Sequence, residues 1–157
     1  MAKTISKDTA LAEITLRKYE KPENLSKREL VRKLCLSIGL LQPGDSRDIV
    51  VDVLYAILEA REQNLELSSE EIEEKVKSLR KKSNLSQNGS SSPNIRRQLK
   101  RLKNIFIIES IKNKYRLKEN LTILEIFKEK IEKFHVHPII ARVEEYFYRV
   151  NEGFKKS

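Results

Sequence analysis

SSPNIRRQLKRLKNIFII, residues 91–108, is the stretch on which the fold turns. Pro93 suits the first position of a helix, where a missing N–H costs nothing, and Ser92 ahead of it is placed to cap the free donors. A helix advances about 100° per residue, so Leu99 and Leu102 fall within about 40° of Ile95 and form an apolar stripe. Asn94, Arg97, Lys100 and Arg101 lie about 80° or more from the nearest edge of that stripe, and Arg96, Gln98 and Lys103 lie on its flanks. One side of this helix is built to dock; the other carries cations and amides. Arg, Gln and Asn are the side chains whose paired donors and acceptors match base edges in the major groove of a duplex.

The helix runs straight into IFIIES, β-branched and aromatic, which predicts a strand over 105–110. Tyr115 and Leu117 alternate in a second strand over 114–117. Ile111, Lys112 and Asn113 lie between, and Asn tolerates a left-handed turn conformation. The spacing predicts a β-hairpin whose tip and return strand are basic, carrying Lys112, Lys114 and Arg116.

The charge distribution makes the same segment stand out. The chain of 157 residues carries 32 Lys and Arg against 23 Asp and Glu, a net charge of +9. Residues 92–118 hold nine of the cations and one carboxylate, Glu109, a local excess of +8. The rest of the chain is left with a net of +1, so nearly the whole excess sits in one segment. Clustered charge raises local potential where scattered charge does not, and this is the footprint of a surface facing a polyanion.

Upstream, GDSRDIVVDVLYAILEAREQN predicts a helix over 46–63, with Pro43 and Gly44 before it and Asp45 or Ser46 as its cap. Ile49, Val50, Val53, Leu54, Ile57 and Leu58 recur at helical spacing as one apolar stripe. LEL, residues 65–67, reads as a brief strand. SSEEIEEKVKSLRKKS then opens with a capping box, Ser68 and Glu71, and closes on Arg80, Lys81 and Lys82. Its charges complement the helix dipole, which is explanation enough for them. NLSQNGSSSP, residues 84–93, is a polar loop.

The order helix, short strand, helix, loop, basic helix, hairpin resembles the winged helix-turn-helix family over about 73 of the 157 residues. IRRQLKRLKNIFIIESIKNKYRL looks like that family's recognition helix followed by strand, wing and return strand. The resemblance implies that the basic helix enters the major groove while the wing meets the adjacent backbone or minor groove. The expected fold is therefore mainly α with a small β-hairpin: a winged helix-turn-helix core with a flanking N-terminal helix and a C-terminal helical hairpin.

The flanks complete the division. Residues 1–24 have no sustained period and read as an arm, partly disordered or strand-like. Residues 25–44 hold an accessory helix over 27–38, capped by Ser26 and Glu29, with Leu30, Leu34 and Ile38 to pack on the core. Residues 45–118 are the winged domain. Residues 119–157 divide at Pro138 into two amphipathic helices, one with Leu124, Phe127, Ile131 and Phe134, the other with Ile139, Ile140, Val143, Tyr146, Phe147 and Val150. This pair is expected to join two copies in a homodimer, as two half-sites on DNA require.

Several classes are excluded. Cys35 is the only cysteine, so there is no intrachain disulfide or thiolate-rich zinc site; in its apolar helical setting it reads as a buried structural thiol. His135 and His137 read as a cap and a turn residue, with no metal role. The N-terminus lacks a signal-peptide core and no apolar run approaches bilayer length, so a soluble, cytoplasmic protein is expected. Four unclustered glycines offer no phosphate-cradling loop, and no nucleophile–base constellation marks an enzyme or calls for a cofactor.

Two functions remain. One is sequence-specific binding of double-stranded DNA by a homodimeric transcriptional regulator, through Asn94, Arg96, Arg97, Gln98, Lys100, Arg101, Lys103, Lys112, Lys114 and Arg116. The other is a winged-helix protein-interaction or assembly module in replication, chromosome or transcription machinery. Single-stranded RNA ranks behind both, because the basic face offers Tyr115 as its one stacking aromatic.

Overall fold

Residues 49–62 carry so many branched apolar side chains that no single stripe can hold them, and the chain packs against this helix from several sides, leaving Glu59 and Glu62 exposed. In the computed structural model, which describes residues 8–156, helix α2 (Ile49–Glu62) buries Ile49, Val50, Val51, Val53, Leu54, Ala56, Ile57 and Ala60. Its neighbours are α1 (Lys27–Ser37), α3 (Ser69–Lys82), α4 (Ser92–Asn104) and the hairpin strand β3 (Lys114–Leu117). A helix apolar on most of its sides belongs at the centre of a fold. The single stripe expected from its spacing is thus too narrow.

The chain is mainly helical with a small three-stranded antiparallel sheet in the order β1–β3–β2. Strand β1 (Leu67–Ser68) sits two residues later than the expected start and pairs with β3, Leu67 opposite Tyr115 and Ser68 opposite Lys114. Strand β2 (Ile108–Ile111) pairs with β3 from Ile108 opposite Leu117 to Ile111 opposite Lys114. Lys112 and Asn113 both take positive φ, 51° and 64°, which makes the two-residue turn whose twist matches a hairpin. The strand expected from 105 begins only at 108. Ile105 ends α4, and Phe106 turns the chain at φ 64° while Ile107 N–H bonds back to Leu102 O at 3.1 Å.

Helix α4 obeys its angular reading. Ile95, Leu99 and Leu102 are fully buried and dock it on α2 and α3. Its cap position is Ser91, one residue earlier than expected, and the Ser92 hydroxyl bonds to Glu73 of α3. The capping box of α3 forms as read, with Ser68 Oγ accepting from Glu71 N–H at 3.2 Å and Glu71 accepting from Ser68 N–H at 2.9 Å. Helix α2 starts at Ile49 rather than 46. Asp45 instead accepts from Gln42 N–H in the preceding turn, and Asp48, at the cap position, uses its carboxylate elsewhere.

Residues 8–24 form no helix or strand yet are tied down. Arg17 N–H donates to Ser37 O at 2.8 Å, and its guanidinium reaches Leu36 O, Leu41 O and the Gln42 side chain. Ile14 and Tyr19 pack on the core, and Thr15 lies so close to Gly39 (φ 78°) that a Cβ there would meet it at 2.6 Å. The disorder expected of the arm, where it concerns residues 1–7, falls outside the described residues. In α1 the buried face is Val31, Cys35 and Leu36; Leu34 and Ile38 pack beside it, while Leu30 is largely exposed.

The expected C-terminal helical hairpin is one continuous helix. After a turn at Lys118–Asn120 come α5 (Ile123–Ile126), a π-type stretch (Phe127–Val136) and α6 (His137–Gly153), with helical dihedrals at both junctions. Pro138 does not break it, because proline already has a helical φ and the turn before it bonds at wider spacing: His137 N–H reaches Glu132 O, five residues back. Ile126 and Ile131 root this rod in the core; from His137 onward no described residue is buried. His135 and His137 accordingly lie inside a helix, not at a cap and a turn, and the His135 ring stacks at 5.0 Å from Phe106.

Candidate nucleic-acid interface

The docking of Ile95, Leu99 and Leu102 fixes which side of α4 looks outward. Arg96, Arg97, Lys100 and Lys103 are exposed there, and Lys112 and Lys114 are exposed at the hairpin tip. Among the described residues, the side chains of Arg96, Lys100, Lys112 and Lys114 make no hydrogen bond or ion pair. Lys103 donates to Ser110 Oγ at 3.2 Å, which links the helix to β2. Arg97 donates to Asn94 Oδ1 at 3.2 Å and keeps its remaining donors. These six cations form one surface without an internal carboxylate partner.

The other four expected contacts are differently placed. Asn94 donates to Gly89 O at 2.6 Å and accepts from Gln98 at 3.1 Å as well as from Arg97. Gln98 in turn accepts from Arg101 at 2.8 Å, and Arg101 donates to Leu40 O at 2.7 Å. Asn94, Gln98 and Arg101 therefore form a half-buried chain that clamps α4 to the connection before α2 and to the loop between α3 and α4. Arg116 is held by Glu109 at 2.8 Å, with Glu66 at 3.6 Å, and Lys118 shares Glu109 at 3.7 Å. The local excess of +8 is thus displayed mainly by six groups.

Carboxylates mark the border of the surface. Glu71 is held below its ordinary value first by its hydrogen bonds within the capping box, and Lys114 adds to the effect. Hydrogen bonds from Lys77 and Ser92 do the same for Glu73, with Arg96 contributing. Glu71 and Glu73, in the N-terminal half of α3, thus lie at the edge of the basic surface.

Behind α4 lies a group that the sequence reading missed. Arg80 is buried, and its guanidinium donates to Asp48 at 2.9 Å, to Asp52 at 2.7 Å and to Ser86 O at 2.5 Å. Arg28 of α1 grips Asp52 with two bonds, 3.1 and 3.0 Å, and reaches Asp48 at 3.1 Å. Arg32 of α1 adds a looser ion pair to Asp48 at 3.7 Å, so three arginines and two aspartates join α1, α2 and α3. Burial would push the Asp48 carboxyl up, but the bonds from Arg80 and Arg28 outweigh it and hold it below its ordinary value. The signal was present: Asp52 interrupts VVDVL, and Arg80 continues the buried Ile72, Val76 stripe at the same four-residue step.

Through Ser86 the network also orders the connection that presents α4. Gln87 bonds Lys77 O at 3.0 Å, and buried Ser90 bonds Gln87 O at 2.7 Å. Gly89, at φ 89°, lies where a Cβ would press on Ile49 at 3.1 Å. A cleft of about 430 Å³ opens beside this loop, lined by Arg47, Arg97 and Arg101 among others. Arg47 is exposed and was passed over in the sequence, where nothing but its charge distinguishes it.

Cys35 is sealed in the core, and burial pushes its thiol up to about 12, so no reactive thiolate is available. No group of His, Cys, Asp or Glu among the described residues is arranged to hold a metal ion. None of the described helices is long and apolar enough to cross a membrane. Comparisons with protein-family models, with curated proteins and with solved structures find no match for this chain.

Proposed function

We propose that this chain is a duplex-DNA-binding protein of the winged helix-turn-helix type that regulates transcription as a homodimer. The observation that carries the reading is the outward face of α4: Arg96, Arg97, Lys100 and Lys103 exposed opposite a fully buried apolar stripe. A helix of this width fits the major groove, and 13 residues extend about 20 Å along it. The hairpin supports the reading by setting Lys112 and Lys114 beside the helix, suited to backbone phosphates, which fix register without reading sequence. The reading assigns the protein no catalytic step and no cofactor.

The test is affinity for duplex DNA as a function of salt. Neutralising about six phosphates gives a slope of log K against log salt of about −5. A slope near zero, or no shift of random duplex fragments at low salt, removes the reading.

One observation favours a second reading, an assembly module that binds protein. Three of the polar groups best suited to base edges, Asn94, Gln98 and Arg101, are already engaged within the chain. That reading gains if duplex fails to bind and the exposed cations prove indifferent to mutation.

A further inference from the structure

We infer that a second copy of this chain packs antiparallel along the C-terminal rod, with the two-fold axis near residue 145. The inference rests on the homodimer part of the functional reading and is independent of DNA contact.

Ile140, Val143, Phe147, Val150 and Phe154 follow one another at steps of three, four, three and four residues, the seam of a two-stranded coiled coil. All five are exposed, Phe147 at 74% and Phe154 at 86%. Tyr146 widens the seam on one side and is also exposed. The described residues cover none of it, since α6 has no buried residue. Most helical stability in proteins comes from packing an amphipathic face rather than from propensity, and the outer part of this rod has no such packing among the described residues. With aromatic rings contributing roughly 150–250 Å² each, covering the seam and Tyr146 removes on the order of 700 Å² per copy. Specific interfaces bury roughly 600–1,000 Å² per partner, so two copies of this rod fall within the range that forms one.

Residue volumes decide the direction. In a parallel pair, Phe147 meets its own counterpart and so do Val143 and Val150, giving alternately crowded and empty layers. Parallel two-stranded coils also favour β-branched residues at the first seam position and Leu at the second, whereas here Val occupies the second. Run antiparallel about residue 145, the layers become Val143 against Phe147 and Ile140 against Val150. Phe154, the residue just past the end of α6, then lies level with Val136 at the partner's root, where Val136 already packs partly on its own core. Two of the three layers set a Phe against a Val and the third an Ile against a Val, so no layer carries two rings, which suits the close packing of interiors. The two cores then hang from opposite ends, their Ile123 attachment points roughly 60 Å apart at ~1.5 Å per residue. That separation is nearer two duplex turns than one.

The experiment uses the full chain carrying Lys155→Cys, spin-labelled, in pulsed electron–electron resonance; Cys35 is sealed and takes no label. The antiparallel pair sets the labels about 30 Å or more apart, twice the ten-residue distance to the axis. A dimer with labels under about 20 Å apart overturns the inference, as does a monomer at high micromolar concentration. Phe147→Glu in the full chain is expected to abolish the dimer while leaving the core's thermal transition in place, because Phe147 touches none of the core. A dimer that survives Phe147→Glu overturns the inference as well. Should DNA binding fail while the long label distance is found, the functional reading falls and this one stands.

Discussion

Arg80 closes α3 and Arg97 stands near the start of α4, and the two guanidiniums meet opposite surroundings. Arg80 is buried between Asp48 and Asp52, with Arg28 on the far side of the same carboxylates. Arg97 is exposed, bonded to a neighbouring amide, on a face that carries no carboxylate. The first belongs to a network in which Arg80, Arg28 and Arg32 answer the charges of Asp48 and Asp52. The second adds to a field that nothing on its face cancels. Composition counts both alike. What separates a cation that holds the fold together from one available to a polyanion is whether the tertiary structure supplies its counter-charge.

The largest effect is expected where that counter-charge is removed. Arg80→Met leaves the two carboxylates to Arg28 and Arg32, both more exposed, and strips Ser86 O of its donor, so α4 loses its ordered approach. Breaking one side of a buried pair costs about 3–5 kcal/mol, to be read as a shift of the urea midpoint. A loss below about 1 kcal/mol, the range of an exposed pair, means the network is incidental. Acid probes the same group with a defined sign. Because the folded Asp48 carboxyl lies below its ordinary 3.8, its stabilising share is present above 3.8 and lost as pH falls through the lower folded value. In Arg80→Met the acid limb of the unfolding curve is expected to move to higher pH.

What was legible in the sequence depended on local spacing. Ile95, Leu99 and Leu102, the box of Ser68 and Glu71, and the left-handed Asn113 are all set by residues close together in the chain. Partnerships across elements were not legible. Arg101 lies well away from the apolar stripe on a helical wheel, yet Leu40 O meets it there because residues 38–45 fold over that flank. Asp52 and Arg80 each interrupt or continue an apolar stripe, but nothing in the spacing pairs one with the other. Pro138 misled for another reason: proline breaks a helix by clashing with the preceding turn, and a preceding π-type turn leaves room for the ring. The buried network and the single rod are consequences of packing, which one-dimensional periodicity does not contain.

The difference between Arg97 and Arg101 sharpens the comparison within α4 itself. Arg97→Ala is expected to weaken a selected site by about 1–3 kcal/mol and to relax preference at one base pair. Arg101→Ala removes bonds to Leu40 O and Gln98, so about 1–2 kcal/mol is expected to come off stability instead, with base preference kept. Selection from a random duplex pool, paired with thermal melting of each variant, reads both. Altered preference in Arg101→Ala with unchanged melting would reverse the roles.

The smallest effect separates free from neutralised cations on the hairpin. The Lys112 and Lys114 side chains have no hydrogen bond or ion pair among the described residues, whereas Arg116, two residues along the same strand, is held by Glu109 at 2.8 Å. A cation that is already paired releases few counterions when it approaches a phosphate, since its charge is answered before DNA arrives. Lys112→Ala and Lys114→Ala are therefore each expected to make the salt slope shallower by about 0.9 and to weaken all duplexes alike. Arg116→Ala is expected to leave the slope unchanged, or to reduce affinity slightly as the freed Glu109 repels the backbone. Fluorescence anisotropy across a salt series measures all three slopes on one labelled duplex. If Arg116→Ala flattens the slope as much as either lysine variant, Glu109 yields its partner to DNA on binding, and the division between paired and available charge drawn from Arg80 and Arg97 does not extend to the hairpin.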